Sequence, residues 1–263
     1  MKKKSLFVSV VAIFTSLNVV LDSFVGMPQL VDGVWYSWIF MIEPLNGIVL
    51  GPYAGFLSTL IGVMIGHFIF FRGIQEFLFT LGAPVGAMVS GLLFEGRWKT
   101  VFVYYVVLFA AYFLTPIAWQ LPIWGMWNTY CAYGALCIIA LILTKKRLGK
   151  PEARKLSYAL PTSAFIGLEA DILLRIFLFI PCRTYQFIYG FNVEAVRFIW
   201  VAGAVITPIQ VAISVLVALT LGIPLIKVLN KTRLFRQVHP LSHSRSSARA
   251  KPFKEIMRML KGE

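Results

Sequence analysis

Long apolar segments with short connections occupy most of this sequence and leave little of it for other structure. A helix needs about 20 apolar residues to cross a bilayer core, and about eight segments approach that length. They are 6–25, 34–50, 52–71, 77–94, 101–120, 123–144, 156–180 and 195–228. The composition agrees, since 59% of the residues are hydrophobic and only 14% are charged. We therefore predict an all-α polytopic transmembrane helix bundle.

The basic residues lie mainly in alternate connections and in the C-terminal tail. Cytosolic segments of membrane proteins retain Lys and Arg, and this bias puts both termini in the cytosol of a multi-pass cell-membrane protein. The exceptions among the 25 basic residues are Arg72, Arg175, Arg183 and Arg197. Membrane topology thus accounts for the net charge of +14 without a nucleic-acid partner. We predict a transmembrane domain over 1–229 and a basic cytosolic tail over 230–263, either disordered or associated with the membrane surface.

The seventh segment carries Glu169, Asp171 and Arg175 at membrane depth. Charges there cost free energy and normally face the bundle interior or an aqueous cavity. Asp171 and Arg175 are four residues apart and able to pair, whereas Glu169 points about 160° away from Asp171 around the helix. Two faces of this helix must therefore be covered. Either these residues line a ligand cavity open to the outside, or they are structural ion pairs.

The first segment has a stripe of small residues on one face. A stripe of this kind allows another helix to approach closely. Two interpretations remain open, packing inside this protein or docking to another membrane subunit. The stripe consists of Ser5, Ser9, Ala12, Ser16 and Ser23.

A separate polar face of the same segment carries Thr15, Asn18 and Asp22. Asp22 lies near the outer end of the segment, so it is either a residue that binds a ligand or a boundary residue in contact with solvent.

Gly51 and Pro52 predict a tight turn before the third segment. In that third segment a ridge of small residues predicts close helix packing. The ridge consists of Gly55, Ser58, Gly62 and Gly66.

The last segment begins with Arg197 and Trp200 and follows an aromatic and polar connection over 183–192. Aromatic residues at this position are typical of an interfacial belt and equally of a lid over a cavity. Both interpretations stay open at this stage.

Several function classes lack their sequence motifs. The chain has no GxxxxGK[ST] loop for ATP, no HExxH and no GxSxG, and no pair of DxxxD motifs to hold Mg²⁺ and a diphosphate. The three cysteines form no CxxC pair, so neither a zinc site nor a disulfide framework is indicated. We therefore expect no catalytic activity, no cofactor and no metal.

Three short patterns resemble the substrate-binding S components of energy-coupling-factor (ECF) transporters, which take up vitamins and micronutrients. They are the small pair Ala12 and Ser16 in a first span that follows a basic N-terminus, the run PLNG at 44–47 with GPYAGFLSTLIG at 51–62, and LTLGIPLIK at 219–227. The family has Ala where Ser16 stands. It also has six spans, so the segments 101–120 and 123–144 look like an inserted hairpin on a six-helix core.

The resemblance implies a subunit that captures a small molecule from outside and delivers it with a transmembrane coupling subunit and a pair of cytosolic ATPases. In such proteins the stripe of the first span contacts the coupling subunit, which assigns that role to Ser9, Ala12 and Ser16. Substrate binds near the outer surface, between the first loop and the last three helices. Here that region supplies Glu169, Asp171, Arg175, Arg183, Asn192, Arg197 and Trp200.

Two other classes remain as alternatives. A self-sufficient secondary transporter would use Glu169, Asp171 and Arg175 to couple proton movement to substrate. An intramembrane enzyme acting on a lipid or isoprenoid is disfavoured by the missing metal and nucleophile motifs.

Overall fold

A computed structural model describes residues 2–23, 37–74, 76–145 and 156–231, and every regular element in these ranges is helical. Eleven α-helices occur in this part of the chain. They are α1 (Lys2–Ser23), α2 (Glu43–Leu50), α3 (Pro52–Ile69), α4 (Glu76–Thr80), α5 (Gly82–Phe94), α6 (Trp98–Phe113), α7 (Trp127–Lys145), α8 (Leu156–Phe179), α9 (Thr184–Phe187), α10 (Val193–Val217) and α11 (Ile223–Lys231). The helical bundle is therefore confirmed, while most of the predicted basic tail lies outside the described residues.

Five helical stretches in the described ranges are long and apolar enough to cross a membrane. They are Ser5–Ser23, Pro52–Ile69, Glu76–Phe94, Ile123–Ile142 and Val193–Leu229. The last combines α10, a π-helical turn over Ala218–Gly222 and α11. Helix α8 also has sufficient length, with 24 residues, but three charged side chains interrupt its apolar sequence.

The predicted span over 34–50 is not one continuous helix. A 3₁₀ turn over Ile39–Met41 precedes α2, which has only eight residues, all of them buried. At 1.5 Å per residue such a helix is about 12 Å long, too short to cross a bilayer by itself. Gly51 then turns the chain into α3 with φ of 85°, a left-handed conformation that glycine adopts without strain, which confirms the predicted turn.

The small-residue ridge of α3 packs directly against α1. A Cβ added at Gly62 would overlap Asn18, and one at Gly66 would overlap Asp22, so both glycines are required for the approach of the two helices. The hydroxyls of Thr15 and Ser58 also hydrogen bond across this contact at 3.0 Å. The predicted ridge is confirmed, and its partner is the polar face of α1.

Helices α6 and α7, predicted as an inserted hairpin, are part of the main core. Their buried side chains form one apolar cluster with those of α5, α8 and α10. The hydroxyls of Tyr104 and Tyr105 donate hydrogen bonds of 2.7 Å to the carbonyl oxygens of Ala170 and Ile166 in α8. The hairpin therefore fixes the position of the charged helix.

Candidate functional site: a charged cavity at one end of the bundle

A cavity of about 450 Å³ lies where α1, α3 and α8 end and where α4, α7 and α10 begin. Cavities of this size are typical of sites for small molecules. Its wall combines charged, aromatic and small side chains drawn from segments far apart in the sequence.

The first charged pair of this wall belongs to α8. Arg175 Nε donates to Asp171 Oδ1 at 2.6 Å, and Nη2 donates to Oδ2 at 2.9 Å, which confirms the predicted pairing. Gly82 of α5 makes room for this bidentate pair, because a Cβ there would overlap Asp171 Oδ1. The Arg175 side chain remains 33% exposed, whereas that of Asp171 is buried. The pair is thus held by the protein on one side and open to the cavity on the other.

A second carboxyl, Glu43, lies behind this pair at the start of α2. The residue is 0% exposed, and neither of its carboxylate oxygens has a hydrogen-bond partner within the described residues. Its strongest charged neighbours are Asp171 and Arg175. Two ionised carboxylates both accept hydrogen bonds and have none to donate, so Asp171 cannot satisfy Glu43 without a proton. Gly86 leaves the space that the Glu43 carboxyl occupies.

Another ion pair forms a further part of the wall. Arg72 Nη2 donates to Asp22 Oδ2 at 2.6 Å and contacts His67 Nδ1 at 3.3 Å. Asp22 and His67 are both buried, so Asp22 is not a solvated boundary residue and His67 is a packed one. The pair links the end of α1 to the connection between α3 and α4.

Glu76, at the start of α4, adds a third carboxylate to the lining of the cavity. It accepts a hydrogen bond of 2.7 Å from the Tyr189 hydroxyl and is only 7% exposed. It therefore ties α4 to the connection between α9 and α10. Two residues of that connection, Tyr189 and Phe191, line the cavity, while Phe187 is exposed.

Glu169 occupies the other face of α8. It accepts 2.8 Å hydrogen bonds from Asn128 Nδ2 and Thr129 Oγ1, both at the start of α7. Asn128 also donates to Thr207 of α10 and lines the cavity. The Glu169 face of α8 is therefore covered by protein, whereas the face with Asp171 and Arg175 lines the cavity. Glu169 itself is fully buried behind Asn128.

Aromatic rings form two parts of the wall. Trp200 stacks on Tyr112 at a centroid distance of 5.6 Å, and its indole N–H donates to Pro122 O at 3.0 Å. Gly125 leaves the space for this indole, since a Cβ there would overlap it. The second part is a cluster of rings in mutual contact, formed by Phe79, Phe179, Tyr189 and Phe191.

The predicted binding residues fall into two groups. Asp171, Arg175 and Trp200 line the cavity, and Glu169 reaches it through Asn128. The remaining three are outside the lining and have local contacts. Arg183 precedes α9 with φ of 55°, Asn192 caps α10 by accepting from Ala195 N at 2.9 Å, and Arg197 donates to Gln120 O at 2.9 Å. A substrate-binding role for the seven residues stays a prediction.

The sequence argument missed several charged groups of the site. The rule that charges at membrane depth face an interior, which identified Glu169, Asp171 and Arg175, applies equally to Glu43, Arg72 and Glu76. Asp22 was noticed but left open as a boundary residue. These four residues carried a usable signal in the sequence.

The arrangement suits binding by charge and ring contacts. Within the described residues no group of three or more His, Cys, Asp or Glu side chains is placed to hold a metal ion. In comparisons with known proteins, no family model matches the chain, and no curated protein or solved structure matches it significantly.

Proposed function

We propose that this chain is the substrate-capture membrane subunit of an ECF-type uptake transporter for a vitamin or another small micronutrient. It would work with a transmembrane coupling subunit and a pair of cytosolic ATPases. The observation that carries the proposal is the cavity of about 450 Å³, which is closed in by helix ends and lined by fixed ion pairs and aromatic rings. Such a site is suited to hold a small polar molecule.

The position of the cavity supports an outward orientation. The ends of α1, α3 and α8 and the starts of α4, α7 and α10 share it, as expected for about eight membrane crossings in alternating directions. The opposite end of the bundle holds the start of α1 and Arg97, whose Nη1 donates to Tyr53 at the start of α3. The basic residues thus favour cytosolic termini and a cavity that opens to the outside.

The surface of α1 supports a partner helix. Ser9, Ala12 and Ser16 are exposed, because α3 packs on the face of α1 that carries Asn18 and Asp22. The packing of α1 on α3 therefore leaves these three residues on the outer surface of α1. Exposed Val8 and Ile13 flank the stripe, so apolar side chains surround the small residues on this surface.

The test is purification in a mild detergent from cells that express the protein at its natural level. We expect an ATPase pair and a coupling protein to copurify. Ser16→Phe should disrupt that assembly, whereas Leu17→Phe, about 100° away on the exposed surface, should preserve it. Loss of the partners from both variants, or their absence from the unaltered protein, would contradict the proposal.

A proton-coupled secondary transporter is the second candidate, and buried Glu43 favours it. A buried carboxyl next to an Asp–Arg pair is a typical proton site in a membrane transporter. In liposomes without ATPases, this candidate requires uptake that follows an imposed proton gradient and is lost in Glu43→Gln. If the proton gradient has no effect on uptake, the ECF-type subunit remains the better supported function.

A further inference from the structure

We propose that the cavity binds an organic cation, with its positive centre beside Glu76 and against the aromatic wall. This inference rests on the proposed role of the cavity as a substrate site. It concerns the chemical class of the ligand, and it follows from the charges and rings around the cavity.

The first argument is an excess of carboxyl groups. Arg175 interacts with three of them, Asp171, Glu43 and Glu76, yet it forms a direct ion pair only with Asp171 among the described residues. Arg72 forms a direct ion pair with Asp22 and also interacts electrostatically with Glu76. Counting Glu169 behind Asn128, five carboxyl groups meet two guanidinium groups. Buried carboxylates without a cation are costly, so a cationic ligand would lower the free energy of this region.

The second argument is the position of Glu76. Its carboxylate lines the cavity, is 7% exposed and accepts a hydrogen bond from a neutral hydroxyl, that of Tyr189. No ion pair to Glu76 occurs within the described ranges. A cation in the cavity would therefore meet a carboxylate that still lacks a direct charge partner, which is stronger than a contact with one already neutralised.

The third argument is the aromatic wall. Tyr189, which donates to Glu76, stacks on Phe191 at a centroid distance of 5.2 Å, and Phe79 and Phe179 contact Tyr189. Aromatic faces attract cations through the ring quadrupole, and the attraction is larger away from bulk water. Carboxylate and rings thus converge on the same part of the cavity. An anion placed beside Glu76 would meet repulsion from that carboxylate and from the ring faces.

The test uses two charge-matched sets of probes on the purified full-length protein in detergent. The first set is phenethylammonium, phenethyl alcohol and phenylacetate, and the second is tryptamine, tryptophol and indoleacetate. Calorimetry gives the dissociation constants, and ligand-induced thermal stabilisation gives an independent readout. We expect the cation of at least one set to bind about tenfold or more tighter than its neutral and anionic counterparts.

A substitution places the effect in the cavity. Glu76→Gln keeps the shape of the side chain but removes its charge, so cation affinity should fall about tenfold while affinity for the neutral alcohol stays the same. Glu194→Gln removes an exposed carboxylate outside the cavity lining and should leave both affinities unchanged. A fall in affinity for the alcohol as large as for the cation would indicate a structural effect of Glu76 and contradict the inference.

Other outcomes separate this inference from the proposed function. Failure of every cation to bind, or equal binding of the matched anions, overturns the inference, even if ATPases copurify with the protein. Cation binding that Glu76→Gln weakens, in a protein that never copurifies with ATPases, supports the inference and removes the ECF-type partners.

Discussion

The buried carboxyl groups on the two faces of α8 differ in the partners that satisfy them. On the side of α7, Glu169 accepts hydrogen bonds from the neutral groups of Asn128 and Thr129. On the side of α5, Asp171 pairs with Arg175, while Glu43 beside it has no hydrogen bond within the described residues. One face is fully hydrogen bonded by the protein, and the other holds an ion pair on the cavity wall with a buried carboxyl behind it that has no hydrogen bond within the described residues.

Glu169 is a carboxyl that stabilises the fold, whereas the carboxyls on the other face would gain from contact with a ligand or a proton. Glu169 joins α7 to α8, and its partner Asn128 extends the contact to Thr207 of α10. Asp171 and Glu43 instead occupy the spaces that Gly82 and Gly86 leave by having no side chain. Carboxyl groups thus stand on this face of α8 where apolar side chains would otherwise pack. Substitutions on the two faces should therefore have different effects on stability.

The largest effect is expected for Arg175→Met. Removal of the guanidinium leaves Asp171 uncompensated beside Glu43, and the expected loss is about 3 kcal/mol, the low end for breaking a buried pair since Arg175 is 33% exposed. Denaturant-induced unfolding in detergent measures it. Arg197→Met, which removes an exposed side chain with a hydrogen bond to Gln120 O, should cost about 1 kcal/mol or less. Equal losses of unfolding free energy in the two variants would show that the ion pair on the α5 face contributes no more than an exposed arginine.

The next effect is that of Gly82→Ala. The new methyl group would overlap Asp171 Oδ1 and force the ion pair or α5 to move, at an expected cost of about 2 kcal/mol. Thermal unfolding compares it with Gly134→Ala in α7, where a Cβ meets nothing within 4 Å. That control should be neutral or slightly stabilising, because alanine favours a helix. A stable Gly82→Ala variant would show that the α5 face tolerates displacement of the pair.

A smaller loss is expected for Glu169→Gln on the α7 face. The amide retains one acceptor but replaces the other by a donor, so one of the two hydrogen bonds to Asn128 and Thr129 weakens, at about 1 kcal/mol. Equilibrium unfolding of the variant and of Glu194→Gln, an exposed control, measures the difference. A stabilised Glu169→Gln variant would mean that this face, too, holds a carboxyl in excess.

The smallest effect is expected for Glu43→Gln. Glu43 has no hydrogen bond to lose within the described ranges and faces Asp171, so neutralisation should change the unfolding free energy by less than about 0.5 kcal/mol or increase it. The same unfolding experiment on Glu169→Gln provides the comparison. A loss from Glu43→Gln that exceeds the loss from Glu169→Gln would reverse the assignment of the two faces.

Local spacing predicted much of the bundle and only part of the site. The apolar lengths predicted the helices, the four-residue spacing predicted the Asp171–Arg175 pair, and the ridge through Gly62 predicted close packing. The continuous span over 34–50 was wrong, since short α2 begins only at Glu43. The place of the inserted hairpin in the main apolar cluster was not predicted, because periodicity gives the presence of α6 and α7 and not the helices that they contact.

The sequence by itself determined the properties that depend on neighbours within a helical turn or on the length of an apolar run. These are the helical class, the concentration of basic residues in alternate connections and in the tail, and the charged pair of α8. Tertiary structure decided which carboxyls are satisfied. Glu169 hydrogen bonds with Asn128, which is 41 residues away in the sequence, and Glu76 with Tyr189, which is 113 residues away. Such contacts result from the packing of whole helices, and the same residue type is therefore saturated in one place and left available in another.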